Sequence, residues 1–267
     1  MKRFHFPAAL PVNTLEMDKS VLRWAQTCLV TGDGEPDWEV FDRCHEQKLY
    51  WLACYLFPRI EATKLEGIAK LFFCLLTLDD LLDLMDGEEA ESLLAKMTVD
   101  KLEQGKFMVS GLGLALDTCY VHILEYFSDD DQKERFMHIW DLYIEGLLWE
   151  IKNKRGIWKL TLEDYQRMRP HSSGVYIVIE LLRGNLPFYG NDTIELESDI
   201  ARFIYLSNDL ISASKEQSIN DFNNEVLLIS KGCGKEEAVK MVMGELSLSI
   251  QEDHKNQLGY QLCVQRE

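Results

Sequence analysis

The sequence predicts an all-α protein, and three observations support this prediction. Apolar residues recur at spacings of three and four along nearly every long segment, which is the period of an amphipathic helix. Runs that alternate apolar and polar residues, the pattern of half-buried strands, are few. Turn residues fall between the periodic segments, as in Gly32–Pro36 and Asp86–Gly87. No repeat or Pro/Ser-rich linker divides the chain, so we expect one α-helical domain over residues 1–267.

The periodic segments give the order of the helices. Residues 1–15 contain Pro7 and Pro11 and indicate an extended lead-in. The helical patterns that follow it span residues 16–30, 36–56, 61–85, 88–103, 107–127, 129–152, 162–182, 194–218 and 220–245.

Capping and loop signals mark several of the later boundaries. Ser128 precedes three aspartates and an apolar pattern, which is typical of an N-cap with acids in the first helical turn. Thr161 followed by Asp164 is a second capping signal. Gly190–Asn191 and Gly232–Gly234 indicate loops before the helices that follow them.

The acidic composition narrows the range of functions. The chain has 28 Lys and Arg against 45 Asp and Glu, a formal net charge of −17. A nucleic-acid binder needs a basic patch and docking on anionic lipid needs a polybasic stretch, so we expect neither partner. The longest apolar runs, such as Leu71–Leu76, are too short to span a bilayer, so we expect no membrane anchor.

The cysteines and the N-terminal residues indicate the compartment. Seven cysteines are scattered along the chain and no two form a CxxC pair, which is typical of buried thiols in a reducing environment. Residues Met1–Pro7 include two basic residues, but no apolar segment of a secretory signal follows them. We therefore expect a cytoplasmic protein.

An apolar helix runs directly into three carboxylates. Asp79 and Asp83 are four residues apart and share one helix face, with Asp80 rotated off it by one position. Phe72 and Leu76 extend the same face with apolar groups. Carboxylate oxygens suit Mg²⁺, which often binds substrate phosphates as well. The alternative is a solvated acidic helix end, but three acids on a mostly apolar helix repel each other unless a cation neutralises them.

A second set of oxygen ligands lies near residue 210. Asn208, Ser212 and Glu216 step by four residues and stay on one helix face. They offer an amide oxygen, a hydroxyl and a carboxylate, a set that suits a Mg²⁺ ion with further ligands from a phosphate. Lys215 could bind the same phosphate as a point charge. The alternative is a polar helix face turned to water.

The two segments resemble motifs of the microbial class I terpene synthases. Asp79–Asp83 matches their aspartate-rich DDxxD motif, and Asn208–Glu216 matches their NSE motif. A third segment, from Trp149–Glu150 to Arg169, is similar to the stretch that leads to the family's pyrophosphate-sensing arginine, although Leu160 and Thr161 replace the usual proline. The resemblance implies a helical bundle around a central apolar cavity.

The resemblance also assigns roles to the motif residues. The implied Mg²⁺ ligands form two sets, Asp79 with Asp80 and Asp83, and Asn208 with Ser212 and Glu216. Asp79 would bridge two ions, with Asp80 and Asp83 in support, and the second set would hold a third ion. Arg169, Asn208 and Lys215 would bind diphosphate, with Arg167 as a substitute for Arg169.

Two further roles follow from the same resemblance. Glycine inside a helical pattern is unfavourable, so we expect a helix break near Ser173 or Gly174. In the family, such a break lets a backbone carbonyl group point at the substrate cation and stabilise it. Phe72, Phe73 and Leu76 are the expected apolar lining, since aromatic faces stabilise a carbocation. Trp140, Trp149 and Tyr176 are left open for that role.

The implied reaction is Mg²⁺-dependent ionisation and cyclisation of a prenyl diphosphate. Farnesyl diphosphate is the favoured substrate, and geranyl and geranylgeranyl diphosphate are alternatives. Chain elongation is disfavoured, because elongating enzymes carry a second aspartate-rich motif where this chain has the NSE motif. Residues 217–267 lack the Arg-Tyr pair of the family, and Gly259–Tyr260 is found near the end instead. Two alternatives therefore remain: the chain is a non-catalytic truncated homologue, or it forms a homodimer in which a partner subunit closes the site.

Overall fold

The computed structural model describes residues 14–29, 42, 51–57, 60–100, 111–154, 160–184 and 194–248. Within these ranges the chain is helical and contains no strand, which confirms the predicted all-α class. The chain divides into two compact units, Met1–His138 and Ile139–Glu267. None of the helices in the described part combines the length and the apolar character that a bilayer crossing requires.

The first unit and the helix that leaves it contain six described helices. They are α1 (Thr14–Cys28), α2 (Trp51–Leu56), α3 (Ala62–Leu84), α4 (Gly87–Leu94), α5 (Leu112–Leu124) and α6 (Asp130–Lys154).

The second unit continues from α6 with five more described helices. They are α7 (Leu162–Ser172), α8 (Val175–Arg183), α9 (Ile194–Ser218), α10 (Glu225–Cys233) and α11, over residues 235–248.

Helix α3 is the centre of the first unit. It packs against α1, α2 and α5, and residues Gly67–Ala69 and Leu71–Cys74 are buried. A methyl group at Gly67 would overlap the ring of Tyr126, whose hydroxyl donates to the Thr63 carbonyl oxygen at 3.0 Å. The absence of a side chain at Gly67 therefore lets Tyr126 lie across the start of α3.

Helix α9 has the corresponding position in the second unit, where it contacts α7, α8 and α10. Its inward face carries Tyr205, Leu206, Asp209 and Ala213, all buried. The apolar members pack with residues of α6, α7, α10 and α11 in one core cluster. Asp209 is thus a carboxylate on an otherwise apolar face, and its contacts are part of the candidate site.

Two predicted helices are each divided in the structure. The segment 162–182 forms α7 and α8, which meet at Gly174 with φ 70°, a left-handed conformation that favours glycine. Pro170 lies in the last turn of α7 and lacks the amide hydrogen that would bond to the carbonyl oxygen of Gln166, four residues earlier. The segment 220–245 begins as a helix only at Glu225. It breaks at Gly234, where φ is 83°, within the loop predicted at Gly232–Gly234.

Two predicted helix ends also differ. Asp129 rather than Ser128 caps α6, because its carboxylate accepts from the Gln132 amide at 3.1 Å. Helix α4 ends at Leu94, well before the predicted residue 103. The predicted turn Gly32–Pro36, the loop Gly190–Asn191 and the C-terminal Gly259–Tyr260 lie outside the described residues.

Candidate active site

The aspartate motif occupies the last two turns of α3. Along one face of the helix, Phe72 is buried, Leu76 is half-buried, and Asp79 and Asp83 are exposed, with Asp80 half-buried beside them. Carboxylate oxygens are the donor type that Mg²⁺ prefers, so the three side chains fit that ion.

The three predicted lining residues differ in exposure. Phe73 is fully buried, and its ring meets the edge of Trp24 with 6.4 Å between centroids. Phe72 is 3% exposed and lies tilted against Phe57 at 6.4 Å. Both rings thus belong to the core of the first unit, and a role for them or for the half-buried Leu76 in binding substrate stays a prediction.

The acidic run that follows the motif, which begins at Asp86, has a structural role. The Asp86 carboxylate accepts from the amides of Glu88 and Glu89, both at 2.9 Å, and so caps the N-terminus of α4. This contact separates Asp86 from the predicted ligands Asp79 and Asp83, which lie on α3.

The second predicted ligand set lies on α9 as the spacing of four predicts. Asn208 is exposed, and Ser212 and Glu216 are half-buried. Burial raises the pKa of the Glu216 carboxyl, while hydrogen bonds from Ser212 and Asn224 act to lower it. All three side chains offer oxygen atoms, the donor type that Mg²⁺ prefers, so the set fits that ion. Among the described residues, no group of three His, Cys, Asp or Glu side chains converges as a metal site.

Arg169 lies against the exposed end of this ligand set. Its guanidinium donates to Glu150 Oε1 at 2.7 Å and to Asn208 Oδ1 at 3.2 Å, and its Nε lies 3.5 Å from Asp209 Oδ1. Burial alone would lower the pKa of Arg169, but the surrounding acidic groups raise it well above its ordinary value. Arg169 is thus a permanent positive charge held beside a predicted ligand.

The alternative arginine has a different environment. Arg167 is 65% exposed and pairs with Asp164 at 3.3 Å on the surface of α7. Asp164 also binds Thr161, which caps α7 as predicted: Thr161 Oγ1 accepts from the Asp164 amide at 3.1 Å. The structure therefore brings Arg169, and not Arg167, to Asn208.

Asp209 connects Arg169 to the interior of the unit. The side chain is fully buried, and its Oδ2 accepts from the Tyr165 hydroxyl at 2.6 Å and from the Glu225 amide at 2.9 Å. Burial raises the pKa of the Asp209 carboxyl, and the charge of Arg169 opposes that rise. The Glu225 amide begins α10, so Asp209 also provides an acceptor at a helix N-terminus.

Close packing of α6 and α7 positions Glu150, which accepts a hydrogen bond from Arg169. A Cβ at Gly146 would lie 2.6 Å from the Ser172 backbone nitrogen, so only glycine allows this approach. Ser172 Oγ then donates to Glu150 Oε1 at 2.5 Å. Since Gly146 and Glu150 are four residues apart, they share the face of α6 that meets α7.

The remaining predicted residues lie at the edges of this network. Ser173 and Gly174 form the break between α7 and α8, where Ser173 Oγ donates to the Pro170 carbonyl oxygen at 3.0 Å. Lys215 is exposed on α9, one position before Glu216. Their roles toward a cation or a diphosphate stay predictions.

The sequence interpretation assigned no role to five residues of this network. They are Glu150, Tyr165, Ser172, Asp209 and Asn224. One signal could have identified Asp209, because it lies four residues from both Tyr205 and Ala213 and so on the apolar face of α9. A carboxylate on such a face needs a partner.

The terpene synthase family 2, C-terminal metal-binding model matches residues 70–252 of the chain. The chain is 25% identical to pristinol synthase of Streptomyces pristinaespiralis over 265 residues, covering 90% of this chain and 68% of that protein. It is 24% identical to 4-epi-cubebol synthase ((2E,6E)-farnesyl diphosphate cyclizing) of Streptosporangium roseum over 233 residues, covering 83% of this chain and 69% of that protein.

Solved structures share the fold. Linalool/nerolidol synthase from Streptomyces clavuligerus has a TM-score of 0.76 at 17% identity, covering 97% of this chain and 91% of that chain. Its complex with 2-fluorogeranyl diphosphate also has a TM-score of 0.76 at 17% identity, covering 95% of this chain and 91% of that chain. Germacradien-4-ol synthase from Streptomyces citricolor has a TM-score of 0.71 at 18% identity, covering 98% and 87% of the two chains.

Proposed function

The chain belongs to terpene synthase family 2 and is a class I terpene synthase of the microbial type, and from this premise we propose that it ionises and cyclises a prenyl diphosphate in a Mg²⁺-dependent reaction. The products are diphosphate and a terpene hydrocarbon or alcohol. The allylic carbon–oxygen bond breaks, its electron pair leaves with the diphosphate, and a carbocation remains. Loss of a proton from the cyclised cation gives the hydrocarbon, and addition of water followed by loss of a proton gives the alcohol.

One observation carries the proposal most directly. Arg169 donates to Asn208 at 3.2 Å, which puts a permanently charged anion-binding group beside a predicted metal ligand. A guanidinium is suited to phosphate oxygens because it is planar and offers several donors. In the proposed reaction Arg169 binds the diphosphate and stabilises the charge that develops as it leaves. Lys215 adds a second positive charge from the adjacent helix, α9.

The metal ligands are the two predicted sets. We assign Asp79, with Asp80 and Asp83, as Mg²⁺ ligands of the first unit and Asn208, Ser212 and Glu216 as Mg²⁺ ligands of the second, with three ions in total as the family resemblance implies. The chemistry that Mg²⁺ supplies when bound is Lewis-acid stabilisation of negative charge on the departing diphosphate. The carboxylate oxygens of the three aspartates, a donor type that suits Mg²⁺, support the first assignment.

The break between α7 and α8 is proposed to act on the cation. Helix ends leave backbone carbonyl groups without intrahelical partners, and a carbonyl dipole stabilises positive charge. Gly174 allows the break because its φ of 70° costs glycine little. We assign this contact to the backbone near Ser173 and Gly174, and within this break to a carbonyl group that precedes Gly174, because the Gly174 carbonyl oxygen accepts from the Ile177 amide at 3.1 Å.

Farnesyl diphosphate is the proposed substrate, since one curated relative is described as cyclising it. The experiment is incubation of the purified chain with Mg²⁺ and geranyl, farnesyl or geranylgeranyl diphosphate, followed by assay of released diphosphate and gas chromatography–mass spectrometry of organic extracts. We expect a cyclic terpene from farnesyl diphosphate. No diphosphate release from any of the three would contradict the proposal. A longer prenyl diphosphate, formed when isopentenyl diphosphate is added, would indicate chain elongation instead.

A further inference from the structure

Asn224 lies outside both motifs and binds the second one. The side chain is fully buried at the N-terminus of α10. Its amide nitrogen lies 2.7 Å from the Asp209 carbonyl oxygen, 2.7 Å from Glu216 Oε2 and 3.3 Å from Ser212 Oγ. One amide group thus contacts two of the three proposed ligands on α9, and also the backbone of α9 at Asp209.

The distances rank these contacts. A side-chain amide has two hydrogens, and the two contacts at 2.7 Å take both of them in good geometry. One hydrogen fixes Asn224 to the backbone of α9, and the other fixes one oxygen of the Glu216 carboxylate. Glu216 would otherwise be a flexible side chain with several accessible rotamers. Asn224 therefore restricts Glu216 to one orientation.

The other end of the same side chain is also fixed. Asn224 Oδ1 accepts from the Leu227 amide at 3.2 Å, which makes Asn224 the N-cap of α10. The next residue, Glu225, donates its amide to the Asp209 carboxylate at 2.9 Å. Two successive residues at the start of α10 thus bind α9 at Asp209, and α10 holds the Asn224 amide rigidly toward Glu216.

We propose that Asn224 is a positioning residue for the second metal-binding motif: its amide holds the Glu216 carboxylate, with Ser212 alongside, in the orientation that binds the cation. This inference rests on the proposed function. Groups that orient metal ligands from outside the ligand set affect metal affinity by about 10–100-fold. The capping role alone would not require an asparagine, because serine and aspartate cap helices equally well.

The difference between the cap and the amide gives the test. Asn224→Ser and Asn224→Asp keep an oxygen that can cap Leu227 but lose the amide donor, whereas Asn224→Ala loses both. Ser230→Ala is the matched control, since it removes a hydrogen bond within α10, from Ser230 Oγ to the Leu227 carbonyl oxygen at 2.8 Å, without touching α9. Two variants that keep the cap allow the test to proceed when one of them fails to fold.

Binding of Mn²⁺ in the presence of inorganic diphosphate is measured by electron paramagnetic resonance, together with the Mg²⁺ concentration for half-maximal turnover and the melting temperature. We expect Asn224→Ser and Asn224→Asp to lose about 10-fold or more in metal affinity, like Asn224→Ala, while their melting temperatures stay closer to wild type. Ser230→Ala should keep wild-type affinity. Wild-type metal affinity in Asn224→Ser and Asn224→Asp, with a loss only in Asn224→Ala, would show that Asn224 acts only as a helix cap and would overturn the proposal. A wild-type chain without metal binding or turnover would instead overturn the proposed function.

Discussion

The Tyr165 hydroxyl donates to Asp209 across 2.6 Å, and both side chains are fully buried. This contact shows that two neighbouring residues of the second motif, Asn208 and Asp209, have different environments. Asn208 is exposed beside Arg169, whereas Asp209, about 100° further around α9, points into the core. The aspartate of the motif therefore acts as an anchor for Tyr165, Arg169 and the start of α10.

Tyr165→Phe tests this anchor. The substitution removes one of the two hydrogen bonds to Asp209 Oδ2 and leaves a buried carboxylate oxygen less satisfied, so we expect a loss of about 1–3 kcal/mol in the free energy of unfolding. Urea denaturation followed by circular dichroism gives the value. An unchanged midpoint would mean that the contact contributes nothing to stability.

Asp79→Ala and Asn208→Ala test the two motifs. Both residues are exposed, so each substitution should leave the melting temperature nearly unchanged and abolish turnover by removing a metal ligand. Asp199→Ala, also exposed and on α9, is the control that should keep wild-type activity. Steady-state diphosphate release measures the effect. Wild-type rates in Asp79→Ala or Asn208→Ala would refute the assignment of two metal-binding motifs.

Arg169 and Arg167 are distinguished by parallel substitution to methionine. Arg169→Met removes the positive charge that Glu150 and Asp209 share, so we expect a loss of about 3–5 kcal/mol in the free energy of unfolding. We also expect turnover to fall roughly 10²-fold or more, because charge stabilisation of the leaving group is lost. Arg167→Met removes a surface charge and should change stability by less than about 0.5 kcal/mol. Equal turnover in the two variants would contradict the assignment of the diphosphate-binding role to Arg169.

Gly146→Ala and Gly244→Ala place the same methyl group in two different environments. At Gly146 the new Cβ would lie 2.6 Å from the Ser172 backbone, and we expect a loss of about 1–3 kcal/mol from overpacking. At Gly244, in α11, the new Cβ would have no atom within 4 Å apart from the neighbouring backbone of its own helix, so the same change should stabilise the helix by about 0.5–1 kcal/mol. Chemical denaturation of both variants provides the comparison, and opposite signs are the expected result.

The helical class was accessible from the sequence because burial along each helix follows the 3.6-residue period. The break between α7 and α8 lies where the sequence predicts one, near Ser173 or Gly174, because glycine is unfavourable inside a helix. The sequence interpretation makes no use of Pro170, which lies in the last turn of α7. Asp129 replaced Ser128 as a cap because both residue types cap well, and tertiary packing decides where the helix starts.

The candidate site could be predicted from the sequence only where its residues repeat at helical spacing. Asn208, Ser212 and Glu216 lie on one helix, and their common face follows from a step of four. Glu150, Arg169 and Asp209 come from three helices, and no local pattern predicts that they meet. The choice between Arg169 and Arg167 needed the same tertiary information, since both are basic residues on α7.

The most direct test of the central claim is the metal dependence of product formation from farnesyl diphosphate. The purified chain is treated with EDTA, assayed by gas chromatography–mass spectrometry, and assayed again after Mg²⁺ is restored in excess. We expect the terpene product to disappear with EDTA and to return with Mg²⁺, because the proposed ligands act only through the ion. A product that persists at the untreated rate in EDTA would contradict the metal-dependent ionisation on which the proposed function rests.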